Sequence, residues 1–167
     1  MSGIPARILV DTCVWVDNYV GFRPGHRDAC AFIDLADELG VTLVYAVTSI
    51  KDVYYAVGRV LEAAIRQEGA SVTDADLEAI DAIAWSCVEN MEEIATAVGI
   101  DASDIWLAKK YRSIHRDFED DVVIAAAKRA KVDFLVTNDL QLRRNAPVAA
   151  VSTTDALALL RSFAMGQ

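Results

Sequence analysis

Hydrophobic and polar positions along the chain follow two patterns in turn, which predict alternating strands and helices. Short runs of consecutive β-branched and aliphatic residues indicate buried strands. These runs occupy residues 7–10, 41–47, 94–98, 133–137 and 148–151. Elsewhere apolar residues recur every three or four positions, which is the spacing of one helical face. This spacing covers residues 26–40, 48–69, 73–91 and 101–112, and further helices start near Asp117 and at Thr153 or Thr154.

Buried strands that alternate with helices are typical of a parallel sheet covered on both faces. We therefore predict an α/β fold, a three-layer α/β/α domain with a central parallel sheet. At 167 residues the chain is best interpreted as a single domain over residues 1–167, because two domains would each have a thin core. No strand is predicted between the two helices of about residues 48–91, so this region is expected to project as a helical hairpin.

Composition narrows the classes of function. Hydrophobic residues make up 54% of the chain, enough for a substantial core. Twenty-five acidic residues against 16 basic ones give a net charge of −9, which argues against broad electrostatic attraction of nucleic acid. The same acidic balance suits hard cations, which prefer oxygen ligands. With only two histidines and no CxxC spacing, a zinc site built from Cys and His is improbable.

The sequence also carries signs of cellular location. The longest apolar runs are too short to span a bilayer, and the first residues lack the pattern of a signal peptide. Three scattered cysteines, Cys13, Cys30 and Cys87, indicate reduced thiols. We therefore expect a cytoplasmic protein with no membrane partner.

Acidic side chains occur where a parallel sheet gathers functional groups. Asp11 follows the first predicted strand and Asp139 follows the strand at 133–137, and the carboxyl ends of such strands share one edge of the sheet. Asp52 lies in the first turn of a predicted helix, and so do three acids of the segment "RDFEDD": Asp117, Asp120 and Asp121. If these carboxylates converge, they repel one another, and Mg²⁺ or Mn²⁺ relieves the repulsion.

Each acid also has a purely structural interpretation. Asp117 with Asp120, and Ser49 with Asp52, have the spacing of helix capping boxes. Asp139 after Asn138 is also typical of a turn. Cap and metal ligand are compatible roles, so these alternatives stay open from the residues alone.

Four segments, in order along the chain, resemble the motifs of the PIN-domain family of metal-dependent ribonucleases, and within it the branch of VapC-like bacterial toxins. The strand and acid of "ILVDTCVWVD" resemble the first motif, and the helix start "VTSIKDVYYAV" resembles the second. "DFEDDVVIAAAKRAKVDFLVTNDLQL" resembles the third and fourth motifs together, and "PVAAVSTTDALALL" resembles the closing strand and helix. The likeness spans nearly the whole chain.

The resemblance implies a Mg²⁺ or Mn²⁺ site and assigns roles to particular residues. The implied metal-site acids are Asp11, Asp52, Asp120 and Asp139, with Asp117 as an additional ligand and with Thr12 and Thr137 as hydroxyl helpers. Asp52 stands where the family commonly has Glu, so it is expected to act through water. Asp121 stands where a small residue is usual, and of the two neighbours we predict that Asp120 faces the metal.

The resemblance further implies hydrolysis of RNA phosphodiester bonds, with the chain as the toxin of a toxin–antitoxin pair. The expected partners are an RNA substrate, an antitoxin protein and a second copy of the chain in a homodimer. Basic and aromatic residues flanking the acids suggest contacts to RNA backbone and a stacked base, against the alternative of a solvated helix face. These residues are Trp106, Lys109, Lys110, Tyr111, Arg112, Arg116, Arg143 and Arg144.

Three other functions compete with this hypothesis. A catalytically weak PIN-like module would bind a partner protein without cleaving RNA. A phosphatase of the haloacid-dehalogenase type also has an Asp after its first strand, but Cys13 stands where that chemistry needs a second Asp. A plain α/β scaffold would use its acids only as helix caps.

Overall fold

A computed structural model of the chain describes residues 4–113 and 117–166. Its centre is a five-stranded sheet in the order β3-β2-β1-β4-β5, and every neighbouring pair is parallel. The strands are β1 (Arg7–Val10), β2 (Thr42–Ala46), β3 (Thr96–Val98), β4 (Phe134–Val136) and β5 (Ala150–Val151). All five lie inside the predicted runs, and each is shorter than predicted except β1, which matches.

Helices connect successive strands, as parallel strands require. In the described residues they are α1 (Thr12–Tyr19), α2 (His26–Glu38), α3 (Thr48–Gln67), α4 (Asp74–Ile94), α5 (Ala102–Tyr111), α6 (Phe118–Ala130), α7 (Leu140–Asn145) and α8 (Thr153–Met165). The short helix α7 is absent from the hydrophobic pattern because six residues give less than two turns of periodicity.

Side chains of the central strand alternate between two hydrophobic cores. Ile8 and Val10 pack on one side of the sheet with Trp15 and Phe32, beneath helices α1 to α4 and α8. Leu9 points to the other side and packs with Ile124 and Leu142, as part of a core shared with α5, α6 and α7. Helices therefore cover both faces, and the predicted three-layer α/β/α fold is confirmed.

Helices α3 and α4 follow one another without an intervening strand and pack together. A capping box starts α4 at Thr73 and Asp76: the Asp76 N–H donates to Thr73 Oγ1 at 3.2 Å, and the Thr73 N–H donates to Asp76 Oδ2 at 2.9 Å. The alternative of a capping box at Ser49 and Asp52 is wrong. Helix α3 starts at Thr48, and Ser49 is buried in its first turn.

Two further features bear on the location of the chain. Among the described residues, no helix combines the length and the apolar character needed to cross a bilayer. Cys13, Cys30 and Cys87 are all free thiols.

Candidate metal and active site

The order of the strands brings Asp11 and Asp139 to one edge of the sheet. β1 and β4 are neighbours in register, with Val10 opposite Val136, so the residues that follow them are adjacent. The Thr137 hydroxyl donates to Asp11 Oδ2 at 2.6 Å, and the same hydroxyl oxygen accepts the Asp139 N–H at 3.1 Å. Thr137 therefore links two acids that lie 128 positions apart in the sequence.

A cavity of about 310 Å³ opens at this edge. Four of the predicted metal-site acids line it: Asp11, Asp52, Asp120 and Asp139. They come from the end of β1, from α3, from α6 and from the end of β4, so the site depends on four separate elements. The predicted helper Thr12 also lines the cavity, whereas Thr137 lies fully buried behind Asp11.

Asp11 is the most deeply placed of these acids. Its side chain caps helix α1 by accepting the Thr12 N–H at 2.7 Å, and the residue is only 8% exposed. Burial raises the pKa of the Asp11 carboxyl above its ordinary value of 3.8, and the charge of Asp139 adds to the rise. Hydrogen bonds from Thr137 and Cys13 oppose it. A buried carboxylate beside another acid is the kind of group that a bound cation stabilises.

Asp139 both caps a helix and lines the cavity. Its Oδ1 accepts the N–H groups of Gln141 at 2.7 Å and Leu142 at 2.8 Å, which starts helix α7. The residue also lines the cavity. The cap fixes the carboxylate in place beside Asp11, so a structural role and a chemical role are compatible here.

The three acids at the start of α6 separate into different environments. Asp117 is the N-cap, where its Oδ1 accepts the Glu119 N–H at 2.9 Å, and it does not line the cavity. Asp120 lines the cavity, while Asp121 is 3% exposed and turns into the protein. This arrangement agrees with the choice of Asp120 over Asp121, and the metal-binding role of each residue stays a prediction.

Asp52 lies in the second turn of α3 and is partly exposed at the cavity. Its carboxylate is 3.2 Å from the ammonium of Lys51, the residue before it, and this contact raises the pKa of Lys51. Because that lysine is mostly exposed, the pair is weak and Asp52 can exchange it for another cation.

The side chains at the cavity provide the kind of donor atom that a hard divalent ion prefers. Every acid that lines the cavity offers carboxylate oxygens, and Mg²⁺ and Mn²⁺ favour such ligands together with several waters. Within the part of the chain described, no three Asp, Glu, His or Cys side chains already form a compact metal-binding group. The residues thus match an ion that keeps part of its water shell better than one enclosed entirely by protein.

The cavity is also lined by residues to which the sequence assigned no role at the site, among them Cys13, Glu119 and Arg23. The Cys13 thiol donates to Asp11 Oδ2 at 3.3 Å and accepts the Asn138 N–H at 3.4 Å. Burial, reinforced by the charge of Asp11, raises the pKa of Cys13 to about 12, so the thiol stays protonated and acts as a donor to Asp11. Glu119 directly precedes Asp120, and its acidic neighbours in "RDFEDD" were the one available signal.

The basic and aromatic group predicted to contact RNA is not a single surface of free side chains. Tyr111 is buried, and Lys110 lies 3.6 Å from the centre of the Trp106 ring in a cation–π contact. Trp106 itself is 57% exposed and keeps a free face. Arg116 lies outside the described residues. Tyr111 is therefore a core residue, and of the two predicted aromatic residues only Trp106 is exposed.

Comparison with known proteins identifies the family. A PIN domain model matches residues 7–141, from β1 into α7. No curated protein matches the chain in sequence.

Solved structures share the fold at low sequence identity. A chain in the crystal structure of VapBC2 from Rickettsia felis, bound to a DNA fragment from their promoter, has a TM-score of 0.60 and 10% identity over 87% of this chain and 98% of that one. VapC20 of Mycobacterium tuberculosis, a sarcin–ricin loop cleaving toxin, has a TM-score of 0.60 and 11% identity over 82% of this chain and 93% of that one. PAE2754 from Pyrobaculum aerophilum has a TM-score of 0.58 and 18% identity over 94% of this chain and 96% of that one.

At these identities the structural likeness shows a VapC-like fold alone. The family model covers most of the chain and includes the positions of the four predicted metal-site acids that line the cavity. The chain therefore belongs to the PIN domain family.

Proposed function

We propose that this chain is a metal-dependent endoribonuclease that hydrolyses RNA phosphodiester bonds. One observation carries the proposal: Asp11, Asp52, Asp120 and Asp139, brought from four elements, line a single cavity at the carboxyl edge of the sheet. A scaffold that used these acids only as helix caps would not need them around one opening. Membership of the PIN domain family and the VapC-like fold support the same activity.

Asp11, Asp52, Asp120 and Asp139 would hold Mg²⁺ or Mn²⁺, with Asp117 as a peripheral acid at the start of α6. Such an ion, when bound, lowers the pKa of a coordinated water and neutralises charge that develops on a phosphate. Asp11 is fixed for this role by donors from Thr12, Cys13 and Thr137. Because these hydrogen bonds hold the carboxylate in one orientation, it needs little reorganisation when a substrate phosphate arrives.

Thr12 and Thr137 have different tasks in this proposal. Thr137 is fully buried, and its hydroxyl is used by Asp11 and by the Asp139 N–H, so it orients the acids. Thr12 lines the cavity as the first residue of α1, where a hydroxyl can donate to a phosphate oxygen. The N-terminus of α1 adds a favourable dipole for an anion at the same place.

The test is cleavage of a labelled single-stranded RNA by the purified chain. We expect activity with Mn²⁺ or Mg²⁺, loss of activity on adding a chelator, and recovery when Mn²⁺ is restored in excess. Asp11→Asn should lose at least about a hundredfold in rate, since it removes a charged ligand rather than an outer partner. Asp34→Asn on the exposed side of α2 makes the same chemical change away from the cavity and should match the parent. If Asp11→Asn cleaves RNA as fast as the parent, the assignment fails.

The proposal extends to the chain being the cytoplasmic toxin of a toxin–antitoxin pair. The sarcin–ricin loop cleaving activity of VapC20, a protein of the same fold, supports it, as do the free thiols of this chain. Expression of the parent in a bacterium should arrest growth, and Asp11→Asn should not. An equal arrest by both chains would contradict a nuclease toxin.

We further propose a homodimer and an antitoxin partner with a basic segment. Helix α4 carries exposed apolar side chains that support both: Leu77, Ile83 and Trp85 are 45%, 47% and 53% exposed. No Lys, Arg or His occurs between residues 67 and 108, so helix α4 carries only acidic charge. Light scattering after size exclusion should give twice the chain mass of 18.2 kDa, and a monomer at all concentrations would contradict the dimer.

A further inference from the structure

Arg23 is the only basic residue that lines the carboxylate cavity among the described residues. It lies in the loop between α1 and α2, opposite acids that come from the sheet edge and from α6. A guanidinium at the rim of an acidic cavity has two physical explanations. It can offset the repulsion among the acids, or it can bind an anion that those acids would otherwise repel.

The side chain of Arg23 is held by Asp17 through one side of its guanidinium. Arg23 Nε donates to Asp17 Oδ1 at 2.5 Å, and the Asp17 side chain is 7% exposed while that of Arg23 is 34% exposed. The two terminal nitrogens of Arg23 have no partner among the described residues. An arginine fixed at Nε in this way presents its terminal N–H groups as a planar fork toward the cavity, which matches two phosphate oxygens.

The other carboxylate oxygen of Asp17, Oδ2, links Arg23 to the segment that follows β4. Asn138 Nδ2 donates to Asp17 Oδ2 at 3.2 Å, and Asn138 lies between Thr137 and Asp139 in the sequence. Asn138 is itself fixed, because its Oδ1 accepts the Thr153 N–H at 3.2 Å and the Thr153 hydroxyl at 3.1 Å. The position of Arg23 is thus coupled through partly buried hydrogen bonds to the strand end that carries Asp139.

The backbone of the loop is shaped around the Asp17 carboxylate. The Arg23 N–H donates to the Val20 carbonyl at 3.0 Å, and the Arg23 carbonyl accepts the His26 N–H at 3.1 Å. A Cβ at Gly25 would overlap the Asp17 carboxylate, so only glycine fits there. Gly25 and the contacts of Asp17 thus hold Arg23 Nε in one place, as a binding residue requires.

We propose that Arg23 binds a phosphate of the RNA substrate beside the carboxylate centre, and that Asp17 is the residue that positions it. This inference rests on the proposed ribonuclease function and names the group that attracts the substrate to it. The chain needs such a group because its net charge of −9 and the cavity acids repel a polyanion. Being a single fixed cation, Arg23 would select where the backbone enters rather than attract RNA at large.

The experiment measures RNA binding and RNA cleavage with the full chain. Binding of a fluorescent single-stranded RNA is followed by anisotropy between 50 and 200 mM salt, with Ca²⁺ in place of the active metal to suppress cleavage. If Arg23→Gln removes one phosphate contact, the plot of log affinity against log salt becomes shallower by about 0.7. In cleavage assays with Mn²⁺ we expect KM to rise about tenfold or more with kcat changed much less, the scale of one lost charge-assisted hydrogen bond.

Matched variants separate phosphate binding from a structural role. Arg23→Lys keeps the charge without the fork, so the salt slope should stay near that of the parent while KM rises in part. Asp17→Asn should raise KM with Arg23 present, and a second measurement of its thermal unfolding distinguishes lost positioning from lost folding. Arg59→Gln removes an exposed arginine of α3 outside the cavity and should leave slope and KM unchanged.

The possible results separate phosphate binding by Arg23 from the proposed ribonuclease activity. A parent that cleaves RNA, with the same salt slope and KM in Arg23→Gln, overturns the role of Arg23 and leaves the ribonuclease intact. A parent that binds RNA through Arg23 but cleaves with neither Mn²⁺ nor Mg²⁺ overturns the ribonuclease and supports the phosphate contact. A change in thermal stability alone, without a change in slope, shows that Arg23 only offsets the charge of the acids.

Discussion

Two adjacent aspartates, Asp120 and Asp121, differ in environment more than in position. Neighbours on a helix point about 100° apart, so when one faces the cavity the other faces the core beneath α6. Asp120 lines the cavity and Asp121 is 3% exposed in the first turns of the same helix. Identical side chains therefore lie in different environments, one at the cavity and one beneath the helix.

We predict that neutralising these two residues gives opposite results. Asp120→Asn should lower the Mn²⁺-dependent cleavage rate by about a hundredfold with little effect on stability, because it removes a charged metal ligand. Asp121→Ala should lower the free energy of unfolding by about 1–3 kcal/mol, because it removes a buried polar group and deprives its partner. Cleavage assays and urea denaturation of both variants check this. If a folded Asp121→Ala variant lost more activity than Asp120→Asn, the assignment of Asp120 as the metal ligand would be wrong.

At the scale of elements, the sequence predicted the helices and strands well, but it did not predict which polar residues cap the helices. Periodicity identified α2 to α6 and α8 because each has at least two turns with an apolar face. The capping spacing was present at Thr73–Asp76 and at Ser49–Asp52, and only the first is a cap. Local spacing cannot separate the two, because the helix start at Thr48 depends on β2 and on burial of Ser49, both set by tertiary packing.

The Thr73–Asp76 cap makes the stability of the start of α4 depend on pH. Hydrogen bonds from the Thr73 side chain and N–H hold the pKa of Asp76 below its ordinary value of 3.8. Since the folded pKa lies below the unfolded one, the cap stabilises the fold above pH 3.8, and this contribution disappears as the pH falls through the folded pKa. Asp76→Asn should thus be less stable than the parent at pH 6, and the difference in stability should shrink as the pH falls below 3.8 through the folded pKa.

Urea denaturation across this pH range measures that effect. Glu78→Gln, two positions further along the exposed side of α4, removes one negative charge without removing a cap and serves as the control. A stability difference for Asp76→Asn that stayed constant from pH 6 to pH 2 would show that the carboxylate contributes nothing as a charged acceptor.

For the whole molecule, strand order determines the site. The acids that follow β1 and β4 could be predicted to meet, because residues at the ends of parallel strands share an edge. Arg23 could not be predicted, since it reaches the cavity only through the loop after α1 and the buried Asp17. Its sequence neighbourhood carries no periodic or spacing signal. Contacts between loops over long sequence separations are therefore the part of the site that required the fold.

Convergence of four acids also predicts how the whole fold responds to metal. An ion that binds only the folded chain stabilises it by about 2.7 kcal/mol when free ion is 100 times its dissociation constant. For a domain of this size that corresponds to a rise in Tm of roughly 5–10 °C. We expect Mn²⁺ to produce this rise in the parent and in Asp34→Asn, and to produce little of it in Asp11→Asn, as measured by thermal unfolding without any RNA present. Because the readout is independent of cleavage, an equal rise in Asp11→Asn would show that the ion binds elsewhere on this acidic chain, even if the enzyme is active.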